Sequence, residues 1–449
     1  MLGPRQVDQF ALFYEFSLEG HVPADHMLRS VDRFVDLTEV RRELAGFYSH
    51  TGRPSVDPEL MIRMLLVGYC FGIRSERRLC EEVHLNLAYR WFCRLGLDGR
   101  VPDHSTFSKN RHGRFRESDL FRRVFEMVVS RCMEEGYVGG EGFAVDGSLI
   151  RADTNRQSGI EGTTWTVPEK ANRAVKEYVA ALDDAAFGAA TEVTPKFISP
   201  ADPAARWTAA NGGAAFFAYT ANYMIDLDHA IIVDVEATTA IRQGEVTAAK
   251  RMIERTREAF DLYPARLAAD SGYGSAEMLG WLVHEQGIEP HIPVFDKSGR
   301  TDGTFSRKDF TWDRQNDVYR CPADKVLTTS GTIVNDNQLL YRASKYDCEV
   351  CELKARCCPK EPARKVPRLI HEGARDMARD IAKTEAYATS RRQRKKIEML
   401  FAHLKRILKL DRLRLRGPNG ARDEFHLAAI AQNLRKLAKL IPMTAPTPA

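Results

Sequence analysis

The chain of 449 residues is predicted to be an α/β protein in which helices flank a mixed β-sheet. Two observations predict the sheet: short apolar runs that each carry a single Asp, and helical repeats of apolar residues that alternate with them. A succession of strand, hairpin, helix, strand and helix is typical of a sheet covered by helices. A third observation, a cysteine-containing stretch that breaks this alternation, predicts an inserted subdomain.

The first part of the chain, residues 1–138, is predicted to be an all-helical domain. Within it, residues 101–114 follow a Gly-rich break and combine an apolar Phe107 with Lys109 and Arg111 on a basic outward face. That pattern fits a helix-turn-helix recognition element whose basic face contacts DNA. The alternative is a capped surface helix whose charges are solvated.

Residues 139–296 are predicted to form the first part of the α/β core, because a Gly-rich joint precedes them. Residues 143–150 are predicted to be an apolar strand that carries Asp146. Residues 265–274 are predicted to be a second strand that ends on Asp270 in a Gly-rich turn. The other predicted elements are a helix at 168–187, a hairpin of strands at 216–226 and 229–237, helices at 244–260 and 275–286, and a strand at 290–294.

Residues 377–441 are predicted to complete the core with helices, the first of which returns at about Ala374. That helix carries Arg394, Glu398 and Lys405 within about 40° of one another, at the edge of an apolar stripe. One carboxylate between two cations suits a metal ligand whose neighbours hold phosphates.

Asp146, Asp270 and Glu398 are the candidate ligands of divalent cations. Hard cations such as Mg²⁺ favour oxygen ligands, and two of them about 4 Å apart activate a water or hydroxyl and stabilise a leaving oxygen. Among the rival carboxylates, Asp234 lies in a predicted strand and is the best alternative ligand. The others are assigned to loops or turns, namely Asp153, Asp226 and Asp228.

Three motifs of the chain together resemble bacterial insertion-sequence transposases of the DDE class, and the resemblance covers roughly residues 20–440. The motifs are Ala144-Val145-Asp146-Gly147-Ser148, Ala269-Asp270-Ser271-Gly272-Tyr273-Gly274, and the spacing of Arg394, Glu398 and Lys405. The C-terminal signature of that family is Tyr, two residues, Arg, three residues, Glu, six residues and Lys. Arg391 stands where the signature has Tyr, and it is a candidate phosphate contact. Two segments, Thr51-Gly52-Arg53-Pro54 and the run from Pro102 to Arg111, also resemble the N-terminal domain that these transposases carry.

The resemblance implies an RNase H-like catalytic core in which Asp146, Asp270 and Glu398 hold two Mg²⁺ or Mn²⁺ ions. The implied reaction cuts DNA at the ends of a mobile element and joins the freed 3′ ends to target DNA, without a nucleotide cofactor. Double-stranded DNA is the implied partner, and at least a homodimer is expected on paired ends. The expected DNA contacts are Arg391, Arg394, Lys405, Lys109 and Arg111. Two alternatives remain open: a domesticated or inactive DNA-binding protein, and an RNase H-fold nuclease that cuts without joining.

Residues 297–376 are predicted to be the inserted subdomain. It contains Cys321 before a Pro, a Cys-x₂-Cys pair, and two adjacent cysteines. These are the ingredients of a structural Zn²⁺ site with four thiolates, formed by Cys321, Cys348, Cys351 and either Cys357 or Cys358. Simple buried thiols and a redox pair are the alternatives.

The composition is that of an ordinary soluble protein, with 44% hydrophobic and 28% charged residues and a net charge of +5. Positive charge is concentrated between residues 391 and 416, where eleven Lys or Arg accompany two acids, so this segment should attract a polyanion. No apolar run reaches the length of about 18 residues that a membrane span needs, and no signal peptide is recognisable. A cytoplasmic, nucleoid-associated protein is therefore expected, with a disordered tail at 442–449.

Overall fold

The computed structural model describes residues 16–48, 51–52, 55–188, 194–209, 213–296, 298–335 and 337–441. The tail expected at 442–449 lies outside the described residues. Among the helices of the described residues, none combines the length and hydropathy that crossing a membrane requires.

The N-terminal region is helical, as the sequence predicts. Its helices are α1 (Leu18–His21), α2 (Met27–Arg33), α3 (Thr38–Leu44), α4 (Pro58–Cys70), α5 (Glu76–Leu85), α6 (Leu87–Phe92), α7 (Ser105–His112), α8 (Arg114–Glu117) and α9 (Leu120–Glu134). At the start of α4, the side chain of Asp57 accepts a hydrogen bond from the N–H of Glu59, and Pro58 occupies the first helical position.

The core that follows alternates strands and helices. Its elements are β1 (Gly142–Arg151), β2 (Ile160–Glu161), α10 (Arg173–Ala180), β3 (Phe197–Ile198), β4 (Arg206–Thr208), β5 (Phe216–Asp226), β6 (Ile232–Thr239), α11 (Arg242–Phe260), β7 (Arg266–Ala268), α12 (Ala276–Gly280) and β8 (Glu289–His291). A wider turn of helix, Trp281–Gln286, continues α12. The hairpin predicted from the apolar runs is present as β5 and β6, whereas α10 is shorter than the helix predicted at 168–187.

The main sheet has the strand order β6-β5-β1-β7-β8, and β4 pairs with the beginning of β5. Strand β1 is antiparallel to β5, and β5 is antiparallel to β6, while β7 and β8 run parallel to β1. Three antiparallel strands followed by two parallel ones, in this order, make an RNase H-like sheet. The predicted fold class is confirmed.

Residues 311–369 form a second, wholly antiparallel sheet. Its elements are β9 (Thr311–Asp313), β10 (Val318–Arg320), β11 (Val326–Val334), β12 (Gln338–Ala343), α13 (Lys345–Glu349), α14 (Lys354–Cys357) and β13 (Lys365–Leu369). A small hydrophobic cluster of its own supports this sheet. The ion pair of Arg307 with the buried Glu372 connects the insertion to the core.

The chain returns to the core in α15 (Glu372–Ile381), α16 (Glu385–Arg406) and α17 (Gly417–Leu440). The single helix expected from about Ala374 is therefore two helices, because Thr384 caps α16 by accepting a hydrogen bond from the N–H of Tyr387. Helix α17 packs against β6 on one side and against α2, α4 and α9 on the other. The N-terminal helices and the α/β core consequently share one hydrophobic cluster.

The two faces of the main sheet are covered by different helices. Tyr223 of β5 stacks on Phe401 of α16, with ring centroids 4.8 Å apart. Thr220, three positions earlier in β5, points to the opposite face, because side chains alternate along a strand, and there it contacts α11. Helix α16 therefore covers one face at β1, β7 and β8, and α11 covers the other at β1, β5 and β6.

Candidate active site

The two aspartates predicted as ligands lie on neighbouring parallel strands. Ala144 of β1 is paired with Ala268 of β7, so Asp146 and Asp270 each lie two positions further on, at the same level. Neighbouring strands are about 4.8 Å apart. Because β7 ends at Ala268, Asp270 lies just beyond the strand, where its Oδ1 accepts a hydrogen bond of 2.6 Å from the N–H of Gly272.

Helix α16 carries Glu398 near the two aspartates, and Arg394 of the same helix lies between Glu398 and Asp146. One guanidinium nitrogen of Arg394 lies 3.4 Å from Oδ2 of Asp146, and the other lies 3.6 Å from Oε1 of Glu398. The side chain of Glu398 is 57% exposed, so it faces the open side of the site. Three acids that are more than 100 residues apart in sequence thus converge at one end of the sheet.

The electrostatics of Asp146 reflect this crowding. The pKa of Asp146 is raised to about 6, mainly by burial and in addition by the charges of Asp270 and Glu398. The N–H of Gly147, which donates to Asp146 over 2.8 Å, and the guanidinium of Arg394 act in the opposite direction. The site therefore carries an excess of negative charge that favours a cation.

Gly272 is required by a close approach at this site. A β-carbon at Gly272 would lie 2.1 Å from a guanidinium nitrogen of Arg242 and 2.6 Å from Oδ1 of Asp270. Arg242, the first residue of α11, is exposed to solvent. The Gly-rich turn that follows Asp270 thus places a second guanidinium beside the acids.

The donor set fits a hard divalent ion in its chemistry, since it consists of carboxylate oxygens in a negative environment. The present side-chain positions do not close around one point. In the described part of the chain, no group of three or more His, Cys, Asp or Glu side chains is arranged to hold a metal ion. Glu398 is turned towards Arg394, whose guanidinium contributes the positive charge between Asp146 and Glu398.

Two sequence families match the chain. The family described as "Transposase DDE domain" matches residues 139–434, which is more than half of the chain and includes all three acids. The protein belongs to this transposase family. A second family, described as "Transposase domain (DUF772)", matches residues 16–113, which cover most of the helical N-terminal region. The resemblance seen in the three motifs is thereby confirmed, and the protein is a DNA transposase.

No curated protein matches the transposase. A solved structure, the piggyBac transposase synaptic complex with hairpin DNA, aligns with 91% of this chain and 71% of that chain, at 10% identity and a TM-score of 0.32. At that TM-score the likeness carries no argument about this chain.

The cations predicted to contact DNA differ in their surroundings. Arg391 is exposed on α16 of the transposase, and Lys109 is exposed on α7. Lys405 is half-buried, which lowers its pKa, although the charge of Asp411 raises it. The expectation that Arg111 lies on an outward basic face is corrected. Arg111 is buried because its guanidinium pairs with Glu76 of α5.

Asp234, the best rival ligand, has a structural role in the transposase. It is fully buried on β6 and pairs with Arg122 of α9 at 2.5 Å and with Arg255 of α11 at 2.8 Å. Buried carboxylates are stable only with such partners. Asp226 accepts hydrogen bonds from the backbone of the turn that follows it, as predicted for a turn residue.

The five cysteines of the insertion line one small cavity, together with Lys325, Lys354 and Arg364. All nine cysteines of the chain are free thiols. The cavity cysteines are Cys321, Cys348, Cys351, Cys357 and Cys358. The Sγ of Cys321 accepts a hydrogen bond from the N–H of Lys325 at 3.3 Å, and burial raises the pKa of Cys357 to about 12.

One more carboxylate, Glu245, lies at the active site and has no counterpart among the sequence predictions. Its pKa is raised to about 7, mainly by burial; Arg242 lowers the pKa, and the charges of Asp146 and Asp270 raise it. In the sequence it occupies the first turn of an amphipathic helix, where an acid is expected for the helix dipole alone. Only the packing of α11 against β1 reveals its position.

Proposed function

We propose that this transposase cuts DNA at the ends of its mobile element and joins the freed 3′ ends to target DNA, with Asp146, Asp270 and Glu398 as ligands of Mg²⁺ or Mn²⁺. The convergence of these three acids at one end of an RNase H-like sheet supports the proposal. When bound, two such ions activate the attacking water or 3′-hydroxyl and stabilise the leaving oxygen.

The side chains of the site have different roles. Asp146 and Asp270 are held by the sheet and by backbone N–H groups, so their oxygens are positioned before DNA arrives. Glu398 completes the ligand set by leaving Arg394. The guanidinium of Arg394 is then free to hold the phosphate of the strand that is cut, because a planar fork matches phosphate oxygens.

Double-stranded DNA is the proposed partner. The exposed cations of α16, Arg391 among them, supply phosphate contacts, and Lys405 supplies a further one. Lys109 on the exposed face of α7 extends the contact to the helical N-terminal region. Both ends of the element have to be cut together, so the active species is at least a dimer.

A structural Zn²⁺ in the insertion is the second proposed cofactor. Cys321, Cys348 and Cys351 line one cavity with Cys357 and Cys358, either of which would be the fourth ligand. The lysines and the arginine of the cavity wall would offset the negative charge of four thiolates.

The test uses a labelled fragment that carries one end of the element, with purified protein, Mg²⁺ and a target plasmid. We expect cleavage at the 3′ end followed by joining of the label to the plasmid, and neither with Asp146→Asn. Cleavage without joining would favour the nuclease alternative. Tight binding of the end without cleavage, by a well-folded protein, would favour the inactive DNA-binding protein.

A further inference from the structure

Glu245 approaches the active site from the face of the sheet opposite to Glu398. It belongs to the first turn of α11. Its Oε1 accepts a long hydrogen bond of 3.4 Å from the hydroxyl of Thr220. Its carboxyl carbon lies 3.3 Å from the point that a β-carbon of Gly147 would occupy. The carboxyl group of Glu245 therefore packs against Gly147, which directly follows Asp146 in β1.

The missing side chain at Gly147 permits this approach. A β-carbon there would also lie 2.7 Å from Cγ2 of Thr220 and 3.0 Å from Oδ1 of Asn222, so a larger residue would displace neighbouring side chains. The carboxylate of Asp146 reaches the same residue, because its Oδ1 accepts a hydrogen bond of 2.8 Å from the N–H of Gly147. The carboxylates of Glu245 and Asp146 thus both lie beside Gly147 of β1.

Arg242 is the charged group that acts most strongly on Glu245, but it does not pair with it directly. No Lys, Arg or His nitrogen of the described residues lies within 4.0 Å of its carboxylate. Asp146 and Asp270 are near enough for their charges to act on it and on the buried hydroxyl of Tyr273, while Arg242 acts in the opposite sense. A half-buried carboxylate that faces two others costs free energy, which a Gln of the same shape would avoid. A bound cation would remove that cost.

We propose that Glu245 is a fourth carboxylate of the cation site and that, with Asp146 and Asp270, it holds the first divalent ion. This inference rests on the proposed function. These three acids are carried by two strands and a packed helix, whereas Glu398 is exposed and engaged with Arg394. The first ion consequently binds before DNA does, and Glu398 is needed only for the complete site.

The experiment measures Mn²⁺ binding to the full chain without DNA, by electron paramagnetic resonance, and Tm with and without Mn²⁺. Glu245→Gln should weaken Mn²⁺ binding by about tenfold or more. It should also raise the Tm of the metal-free protein, because repulsion is relieved, and diminish the rise in Tm that Mn²⁺ causes. Glu245→Asp should recover part of the binding. Glu254→Gln, an exposed substitution on the same helix, should change neither quantity.

Two further variants separate this inference from the proposed function. Asp146→Asn should lose Mn²⁺ binding, and Glu398→Gln should keep most of it. If Asp146→Asn loses binding while Glu245→Gln binds as the unmodified protein does, the role of Glu245 is overturned and the proposed function stands. If neither substitution affects Mn²⁺ binding, both are overturned. A metal-free Tm that falls in Glu245→Gln, with unchanged Mn²⁺ affinity, would assign Glu245 to the stability of the fold.

Discussion

The carboxylates of the core and the thiols of the insertion are both sets of metal-type ligands, yet the fold positions them in opposite ways. Asp146, Asp270 and Glu398 are separated by 124 and 128 residues (270 − 146 and 398 − 270) and come together through a sheet inside the main hydrophobic cluster. The thiols lie within 37 residues (358 − 321), on turns and short helices beside a cluster of seven buried residues. So small a cluster stabilises little by itself. The core therefore brings its acids together through its own packing, whereas we propose that a bound ion stabilises the insertion.

The largest effect of a single substitution is expected at Glu398. Glu398→Gln should reduce cleavage by at least about a hundredfold, because a charged ligand of the proposed metal ions is lost, while binding of the end fragment stays nearly unchanged. The measurements are cleavage and binding of the same fragment at one salt concentration. Glu385→Gln, at the start of the same helix, is the control and should cut normally. A Glu398→Gln protein that cuts at a comparable rate would show that Glu398 is not a ligand.

A carboxylate that stabilises the fold should affect the free energy of unfolding when it is replaced, in contrast to one that only contributes to the active site. Asp234→Asn leaves Arg122 and Arg255 without their buried partner, so it should lower the free energy of unfolding by about 3 kcal/mol. Urea unfolding measures this change. The exposed Glu258→Gln on α11 should stay within about 0.5 kcal/mol of the unmodified protein. An equal, small effect of both substitutions would contradict a structural role for Asp234.

Removal of zinc should loosen the insertion and spare the core. A chelator used with Mg²⁺ in excess should make the chain between β9 and β13 sensitive to protease, since ion binding contributes to its folding. Metal analysis should find one zinc per chain. Cys351→Ser should reproduce the effect, whereas Cys80→Ser, on α5, should not. A zinc content near zero in protein purified without added zinc would leave the thiols as ordinary buried groups.

Smaller changes are expected where single phosphate contacts are lost. Arg394→Ala and Lys405→Ala should each reduce the slope of log K against log salt by about 0.9 on duplex DNA. The control is Lys383→Ala, which removes one surface charge that is paired with Asp380. If the slopes of the first two variants equal that of the control, both residues belong to the stability of the fold.

The sequence predicts those parts of the site that depend on local pattern. Asp146 stands out because it interrupts an apolar strand, and Asp270 because it ends one in a Gly-rich turn. Glu398 stands out because helical periodicity aligns it with two cations. The positions of Arg111 and Glu245 depend on packing between distant elements. Arg111 is buried by Glu76, 35 residues earlier, and Glu245 reaches the site only because Gly147 leaves room. The position of a charged residue on a helix does not indicate which other element that residue will contact in the fold.

Helices α2, α4 and α9 pack against α17, so their packing can be completed only after α17 has been synthesised. At synthesis rates of about 5–20 residues per second, roughly 20–75 s pass between the emergence of α4 and that of α17. During that interval the part of α4 that packs on α17 is uncovered, and a chain that ends early never covers it. Only a protein synthesised through α17 can finish the core that joins its N-terminal helices to the acids, so prematurely ended copies should be degraded before they meet DNA.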